Sequence, residues 1–147
     1  MRIYKGNPEL VFRGKVTPWY GALSGLVAAA AAILALQPGM PAGVPAALLV
    51  AGAVVLWPAV VRNRVELYAD RLEIVFGWAR TIIPYEHVTG VRPYTGSSEQ
   101  FTGNKCTAAL DGVFIKAPRD GDAAVSVIGN DNLMGELRRR AGLGEQP

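Results

Sequence analysis

Two long apolar runs come first along this chain, and an alternating pattern follows them. From Trp19 to Leu36, WYGALSGLVAAAAAILAL, 18 residues carry no charge, and from Val44 to Val61, VPAALLVAGAVVLWPAVV, 18 more carry none. At a rise of about 1.5 Å per residue each run reaches about 27 Å. That is close to the roughly 30 Å of a bilayer's hydrocarbon core, and Thr17, Pro18 and Gln37 extend the first run. Between the runs lies QPGMPAG, residues 37–43, where two prolines and two glycines force a turn. The pattern predicts a transmembrane helical hairpin over residues 17–61, with spans at about 18–36 and 44–61. Its apolar core is longer than that of a cleaved signal peptide, and a second run follows at once. Pro45 fits the first turn of the second helix, and Pro58 is expected to kink or end it. Gly21, Gly25 and Ala29 in one run, and Gly43, Ala47 and Ala51 in the other, recur at four-residue spacing. That spacing is expected to form the helix–helix contact.

From Arg62 the apolar period changes to two, the mark of half-buried strands. In RVELYADRLEIVFG, Val65 and Leu67 and then Leu72, Ile74 and Phe76 alternate with charged residues, and Ala69-Asp70 makes a hairpin turn. Gly77-Trp78 makes a second turn, ARTIIP (79–84) a third strand and HVTGVRP (87–93) a fourth. TGSSEQFTGNKC, ending at Cys106, has no period and reads as a loop. TAALDG and VFIKAP read as two strands around an Asp111-Gly112 turn, and RDGD turns into a last strand, AAVSVIG. NDNLMGELRRRAG is helical: Asn130 or Asp131 caps it, Leu133, Met134 and Leu137 form its apolar stripe, and Gly142 stops it. Residues 144–147 are expected to fray.

The fold class this predicts is an α+β membrane protein, in which seven short antiparallel strands closed off by a C-terminal helix follow the hairpin. LYADRLEIVFGWARTIIPYEHVTGVRP followed by VSVIGNDNLMGELRR resembles the bacterial PH-domain (pleckstrin-homology-like) membrane proteins with two N-terminal transmembrane helices. The resemblance spans roughly residues 15–142. It rests on the strand, tight turn and strand, on the Ile-Pro-aromatic-acidic segment in IPYEHVTGV, and on the final strand and helix. It implies a PH-like β-roll over residues 62–143 at the cytoplasmic membrane face, and it implies no reaction.

Charge sharpens the picture once it is located. The net charge is +3. Residues 1–16 hold Arg2, Lys5, Arg13 and Lys15 against Glu9, whereas residues 62–147 balance 11 basic against 11 acidic side chains. Residues 1–16 therefore read as a basic cytoplasmic tail. With Arg62 and Arg64 after the second run and no charge in the turn, the positive-inside rule puts both termini in the cytoplasm. Trp19, Tyr20 and Trp57 fall at that interface. A basic stripe for nucleic acid is absent, and Arg138-Arg139-Arg140 reads as cations favoured in the last turn of a helix.

The candidate chemistry is thin. His87, the lone histidine, stands beside Tyr85 and Glu86. Adjacent residues of a strand point to opposite faces, so the segment reads as a turn whose neighbours Ile82, Ile83, Val88 and Val91 serve the core. Cys106 excludes an intramolecular disulfide, and as a nucleophile it has only Lys105 beside it. Asp120, Asp122, Asn130, Asp131 and Asn132 lack the register of a calcium loop and suit turns and caps. Phosphoinositide-binding PH domains use several basic residues around the first strand pair, where this chain offers an acidic turn and Arg71. No cofactor or metal is expected. The expected partners are membrane lipids and a membrane or cytoplasmic protein, with no nucleic acid and no small-molecule substrate. Contact surfaces are expected at the loop from Thr95 to Cys106, with Phe101 exposed, and at the open edge of the roll. The expected role is that of a non-enzymatic interaction module, with an accessory subunit of a larger complex and a lipid-binding module as alternatives.

Overall fold

The computed structural model describes residues 6–95, 103–106 and 111–144. Near the N-terminus it corrects the sequence reading. Leu10–Arg13 form a strand, β1, within what reads as a tail. Its partner is β2, Asn63–Leu67, antiparallel, with Leu10 opposite Leu67 and Arg13 opposite Arg64. Between these neighbouring strands run two helices, α1 (Trp19–Ala35) and α2 (Gly43–Val61). The β-domain is therefore built from both sides of the helical pair, and does not simply follow it. A strand of four residues whose partner lies some fifty residues on carries too little period to be read locally.

The helices depart from expectation in two ways. Among the described residues one helix, not two, is long and apolar enough to cross a membrane: α2, with 19 residues, a mean hydropathy of 2.3 and 17% of its apolar stretch buried. The first helix has 17 residues, because it starts after Pro18 and the Gln37-Pro38-Gly39 turn ends it early. Nor do the small residues at four-residue spacing make the contact. A side chain at Gly21, Gly25 or Gly43 would meet open space. The sheltered positions are instead Leu23, Val27, Ala31 and Leu34 facing Leu48, Gly52 and Leu56. Larger side chains remove more apolar area than glycine does, and Gly52 admits Val27, whose Cγ1 lies 2.7 Å from where a Cβ would sit. Pro58 stays inside α2, which runs on to Val61.

Beyond α2 the alternating stretch folds largely as read. Strands β3 (Arg71–Phe76) and β4 (Ala79–Pro84) complete an antiparallel sheet of order β1-β2-β3-β4. Val65 faces Ile74 and Leu67 faces Leu72, so the inner face is aliphatic. A 3₁₀ turn at Tyr85–His87 precedes β5, Gly90–Thr95, which starts later than read because that turn consumes His87. The second sheet continues with β6 (Gly103–Cys106), β7 (Asp111–Lys116) and β8 (Asp122–Val125), in the order β5-β7-β8-β6. Two features differ from expectation. The aperiodic loop contains β6, which pairs parallel to β8. Asp111-Gly112 is not a turn but the start of β7, and residues 107–110, the other half of that expected hairpin, lie outside the described residues. Glycine is needed at 112 for space: a Cβ there would collide with the Val125 carbonyl oxygen.

The last element is α3, Asn130–Arg140, whose Leu133 and Leu137 are fully buried over Val65, Leu72, Ile83, Val113, Ile115 and Val125. Its cap differs from the reading. Gly129, at φ +91, precedes the helix, and the Asn130 side chain accepts a hydrogen bond from the Val127 N–H at 2.9 Å. Gly142, at φ +67, ends it as expected. Residues 145–147 of the expected frayed tail lie outside the described residues.

Residues 13–15 close the domain. Gly14 N–H donates to Asn63 O at 2.8 Å in the first sheet, while Lys15 N–H donates to Ser126 O at 3.0 Å and Arg13 O accepts from Ile128 N–H at 2.9 Å beyond β8. One short segment thus joins both sheets. Two outcomes follow. Gly112→Ala should lower stability by about 2 kcal/mol or more, the cost of overpacking against backbone, measured by chemical unfolding in detergent. Deleting residues 1–14 should abolish the cooperative transition, whereas removal of a mere tail would leave it intact.

Candidate functional site

Three places on the described surface gather polar or aromatic side chains, and the strand register explains each. The first is the Tyr85–His87 turn. Tyr85 is buried, and its hydroxyl donates to Tyr68 O at 2.8 Å. Burial pushes its phenol above the ordinary value, against the opposing charge of Arg140. Glu86 points to solvent, and His87 Nδ1 pairs with Asp120 Oδ2 at 2.6 Å while its Nε2 stands 3.6 Å from Glu86. Tyr85 thus enters the core, while Glu86 and His87 stay close to each other at the surface and His87 clamps the turn before β8. General acid–base work needs convergent groups in a pocket; here Tyr85 is turned into the core, away from the Glu86–His87–Asp120 contacts at the surface.

The neighbouring carboxylates and amides serve the backbone. Asp122 accepts from the Ala117 N–H at 2.9 Å, as Asn130 does from Val127. Among the described residues no group of three or more His, Cys, Asp or Glu side chains is placed to hold a metal ion. Of the expected contact loop, Thr95 is exposed, and the side chains from Ser97 to Cys106, Phe101 among them, lie outside the described residues.

The second place is the outer face of the first sheet. Period two puts Arg64, Glu66 and Tyr68 of β2 and its turn beside Arg71 and Glu73 of β3 and Arg80 of β4, with Glu66 directly opposite Glu73. Two carboxylates facing each other are destabilising unless each is neutralised. Glu66 accepts from Arg64 Nε at 2.5 Å and from the Tyr68 hydroxyl at 2.9 Å. Glu73 accepts from Arg71 Nε and Arg80 Nε, each at 2.8 Å. Arg71 also reaches Asp70 at 2.8 Å and stacks its guanidinium 4.0 Å above the Tyr68 ring. Glu73 is 1% exposed and Arg71 5% exposed, so the centre of the network is sheltered, with Arg64, Arg80 and Asp70 at its open rim. Burial alone would raise the Glu66 carboxyl, yet its hydrogen bonds from Arg64 and Tyr68 outweigh it and hold the group below the ordinary carboxylate range. Arg71, the cation beside the first strand connection, is committed to this network.

No protein-family model, no curated protein and no solved structure matches this chain. What it does must be argued from its own geometry.

The third place is the junction of the helices with the β-domain. Pro58 has no N–H, so the Val54 carbonyl one turn earlier lacks its helical partner. The Trp78 indole N–H, from the β3–β4 turn, donates to that carbonyl at 3.1 Å. Gly77 supplies the left-handed backbone the turn needs, at φ +59, and its own N–H donates to Arg62 O at 2.8 Å. The Arg62 guanidinium lies 5.8 Å from the centre of the Trp78 ring. Opposite, Lys15 pairs with Asp111 at 2.9 Å and holds its carboxyl low. An apolar groove of about 530 Å³ opens between α1 and α2 on this side, lined by Tyr20, Ser24, Val27, Gly52 and Trp57 among others. The sequence placed Trp19, Tyr20 and Trp57 here but took Trp78 for an ordinary turn residue. The signal was Pro58, whose missing donor obliges some other group to reach Val54.

Arg138, Arg139 and Arg140 occupy the last turn of α3, but dipole attraction is not their whole role. Arg138 donates to Val91 O on the β5 edge at 3.1 Å, and Arg140 bonds Glu9 at 2.7 Å and Tyr68 O at 2.9 Å.

Glu73→Ala should destabilise the domain by about 1–3 kcal/mol, because the buried Arg71 Nε loses its acceptor while Asp70 still holds the other side of the guanidinium. The depressed pKa of Glu66 gives a sign as well. Its contribution is present above the ordinary carboxylate value and is lost as pH falls through the lower folded value. Unfolding midpoints of Glu66→Gln and wild type should therefore differ at neutral pH and converge in acid. For His87→Ala, loss of one half-sheltered side-chain hydrogen bond to Asp120 predicts a cost of about 1 kcal/mol or less and unchanged function in cells carrying that allele.

Proposed function

We propose that this protein is a non-enzymatic, membrane-anchored PH-like domain that serves as a protein-interaction or scaffolding module at the cytoplasmic face of the cell membrane. The observation that carries the reading is α2: 19 apolar residues, 17% buried, projecting from a domain whose own core is complete without it. A core helix of a soluble protein would be mostly covered, whereas Val50, Val55 and Trp57 are each more than 60% exposed.

The reading extends to a hairpin. Because β1 and β2 are neighbours, α1 leaves the domain and α2 returns to it at the same place. With α1 as the second, shorter span, both termini lie on the domain side. Modest thinning of the bilayer or anchoring by Trp19 and Tyr20 accommodates a short span. Arg13, Lys15, Arg62 and Arg64 flank the pair; Lys15 and Arg64 are paired with Asp111 and Glu66, and Arg13 and Arg62 suit anionic lipid. The two sheets and the closing helix support the PH-like assignment through architecture alone, and fold does not carry function. Partners are membrane lipids and a membrane or cytoplasmic protein, with no nucleic acid and no small-molecule substrate. Specific headgroup binding, the lipid-binding alternative, is disfavoured by the commitment of Arg71 to Glu73 and Asp70.

An accessory subunit of a larger membrane complex is the second reading. What favours it is the open space around Gly21, Gly25 and Gly43, a small-residue face that the helical pair leaves uncovered.

Alkaline carbonate washing of membranes should leave the protein in the pellet; release into the supernatant contradicts the anchoring. On native gels in mild detergent the scaffold reading predicts a separable partner. The subunit reading predicts stoichiometric co-migration with one complex, and a bare monomer would count against both.

A further inference from the structure

The β3–β4 turn ends in a tryptophan that is 71% exposed, yet its one polar group is satisfied inside the protein. An exposed indole in water has no need of such a partner, since solvent serves both the N–H and the carbonyl. In hydrocarbon neither group would find one, and an unpaired backbone carbonyl there is costly. The pairing of Trp78 with the carbonyl left open by Pro58 thus has its value where water is absent.

Depth along α2 leads to the same place. A 19-residue helix spans about 28 Å at about 1.5 Å per residue, barely the hydrocarbon thickness, so nearly all of α2 is needed to cross. Val54 lies seven residues before the domain-side end at Val61, about 10 Å into the span by the same rise. A ring hydrogen-bonded to Val54 is carried below the headgroups with it. Its surroundings agree. Its chain neighbours Gly77 and Ala79 carry no charge, and Ala53, Trp57 and Val61 line with Trp78 a largely apolar cavity of about 400 Å³ whose rim includes Arg62. Arg62, stacked 5.8 Å from the ring, supplies one cation at the level where the helix meets the headgroup phosphates.

We propose that the Trp78 turn is a lipid-contact site, a second membrane-inserted element that enters the domain-side leaflet beside α2 and fixes the β-domain against the bilayer. The occupant is the acyl and glycerol region of that leaflet, because the patch is continuous with the exposed surface of α2. This inference rests on the reading of α2 as a spanning helix. It adds that the domain itself touches the membrane at a defined point and does not hang from a tether. The β3–β4 connection, and not the basic strand pair used by headgroup-binding PH domains, is the part that meets lipid.

The test is depth-dependent fluorescence quenching of the full chain in phosphatidylcholine–phosphatidylglycerol vesicles. The chain has three tryptophans, so Trp19→Phe with Trp57→Phe leaves Trp78, and Trp19→Phe with Trp78→Phe leaves Trp57. In the first variant, lipids brominated near the top of the acyl chain should remove most of the emission, and aqueous iodide should remove little. Quenching of the Trp57 variant together with iodide-accessible, bromolipid-insensitive Trp78 would overturn the lipid contact while leaving the anchor standing. Bromolipid-insensitive emission from both variants would overturn the anchor and the contact together. Should the double substitutions fail to fold, Ala79→Cys and Asp131→Cys, each with Cys106→Ser, give a second readout with a charged maleimide. In vesicles with the domain outward, position 131 should react and position 79 should react only after detergent. Equal reaction at both positions contradicts the proposal.

Discussion

The pairing of β1 with β2 is the contact on which the rest of the structure depends. It joins residues some fifty positions apart, and everything between them is the apolar helical pair. Closing so long a loop has an entropic cost that grows only slowly with its length, and here the loop is not slack. Two helices packed through Val27 and Gly52 bring its ends back together. Residues 13–15 then carry the chain from the first sheet to the second, through bonds to Asn63, Ser126 and Ile128. The helices bring the strand ends together, and the strands fix where the helices leave the domain. The coupling also ties α3 to the N-terminus, since Arg140 bonds Glu9 just ahead of β1.

Electrostatics follow from the same arrangement. Residues 62–147 are balanced in sequence, and the fold makes that balance local. Facing carboxylates at Glu66 and Glu73 are each met by arginines, and both carboxylates are buried against the first sheet while Arg64 and Arg80 reach them from the rim. Arg71 and Arg80 are committed there, and Arg64 belongs both to that network, through Glu66, and to the group of cations beside the end of α2. Trp78 belongs with the latter group, as an aromatic side chain lashed to α2 next to Arg62.

Much of this was legible in the sequence, and the failures have physical causes. Period two gave β2, β3 and β4 with their two turns, because each pairs with its immediate neighbour and alternates Val, Leu and Ile with charge. The stripe Leu133–Leu137 and the stop at Gly142 gave α3. Locality failed elsewhere. Leu10–Arg13 has no nearby partner, and Gly103–Cys106 pairs in parallel with a strand further along, so neither has a hairpin to announce it. Asp111-Gly112 has turn chemistry by type, but the glycine is there to let β7 approach the Val125 carbonyl. The small-residue spacing in the apolar runs was real but lay on the wrong face, since Leu and Val contribute more to packing. His87, the residue that first suggested chemistry, turned out to clamp a turn through Asp120. Trp78 was overlooked because its meaning depends on Pro58, twenty residues earlier.

A membrane-anchored domain assembled around its own anchor is the claim at the centre of this account, and cross-strand disulfide formation tests it directly. Arg13 and Arg64 stand opposite each other across β1 and β2, on the same face. In native membranes carrying Cys106→Ser, the pair Arg13→Cys and Arg64→Cys should oxidise readily to an intramolecular bond. Arg13→Cys with Val65→Cys, one residue out of register and on the opposite face, should not. Failure of the first pair, or equal cross-linking of both, would mean that residues 10–13 are a free tail and that the domain is not closed around the helices.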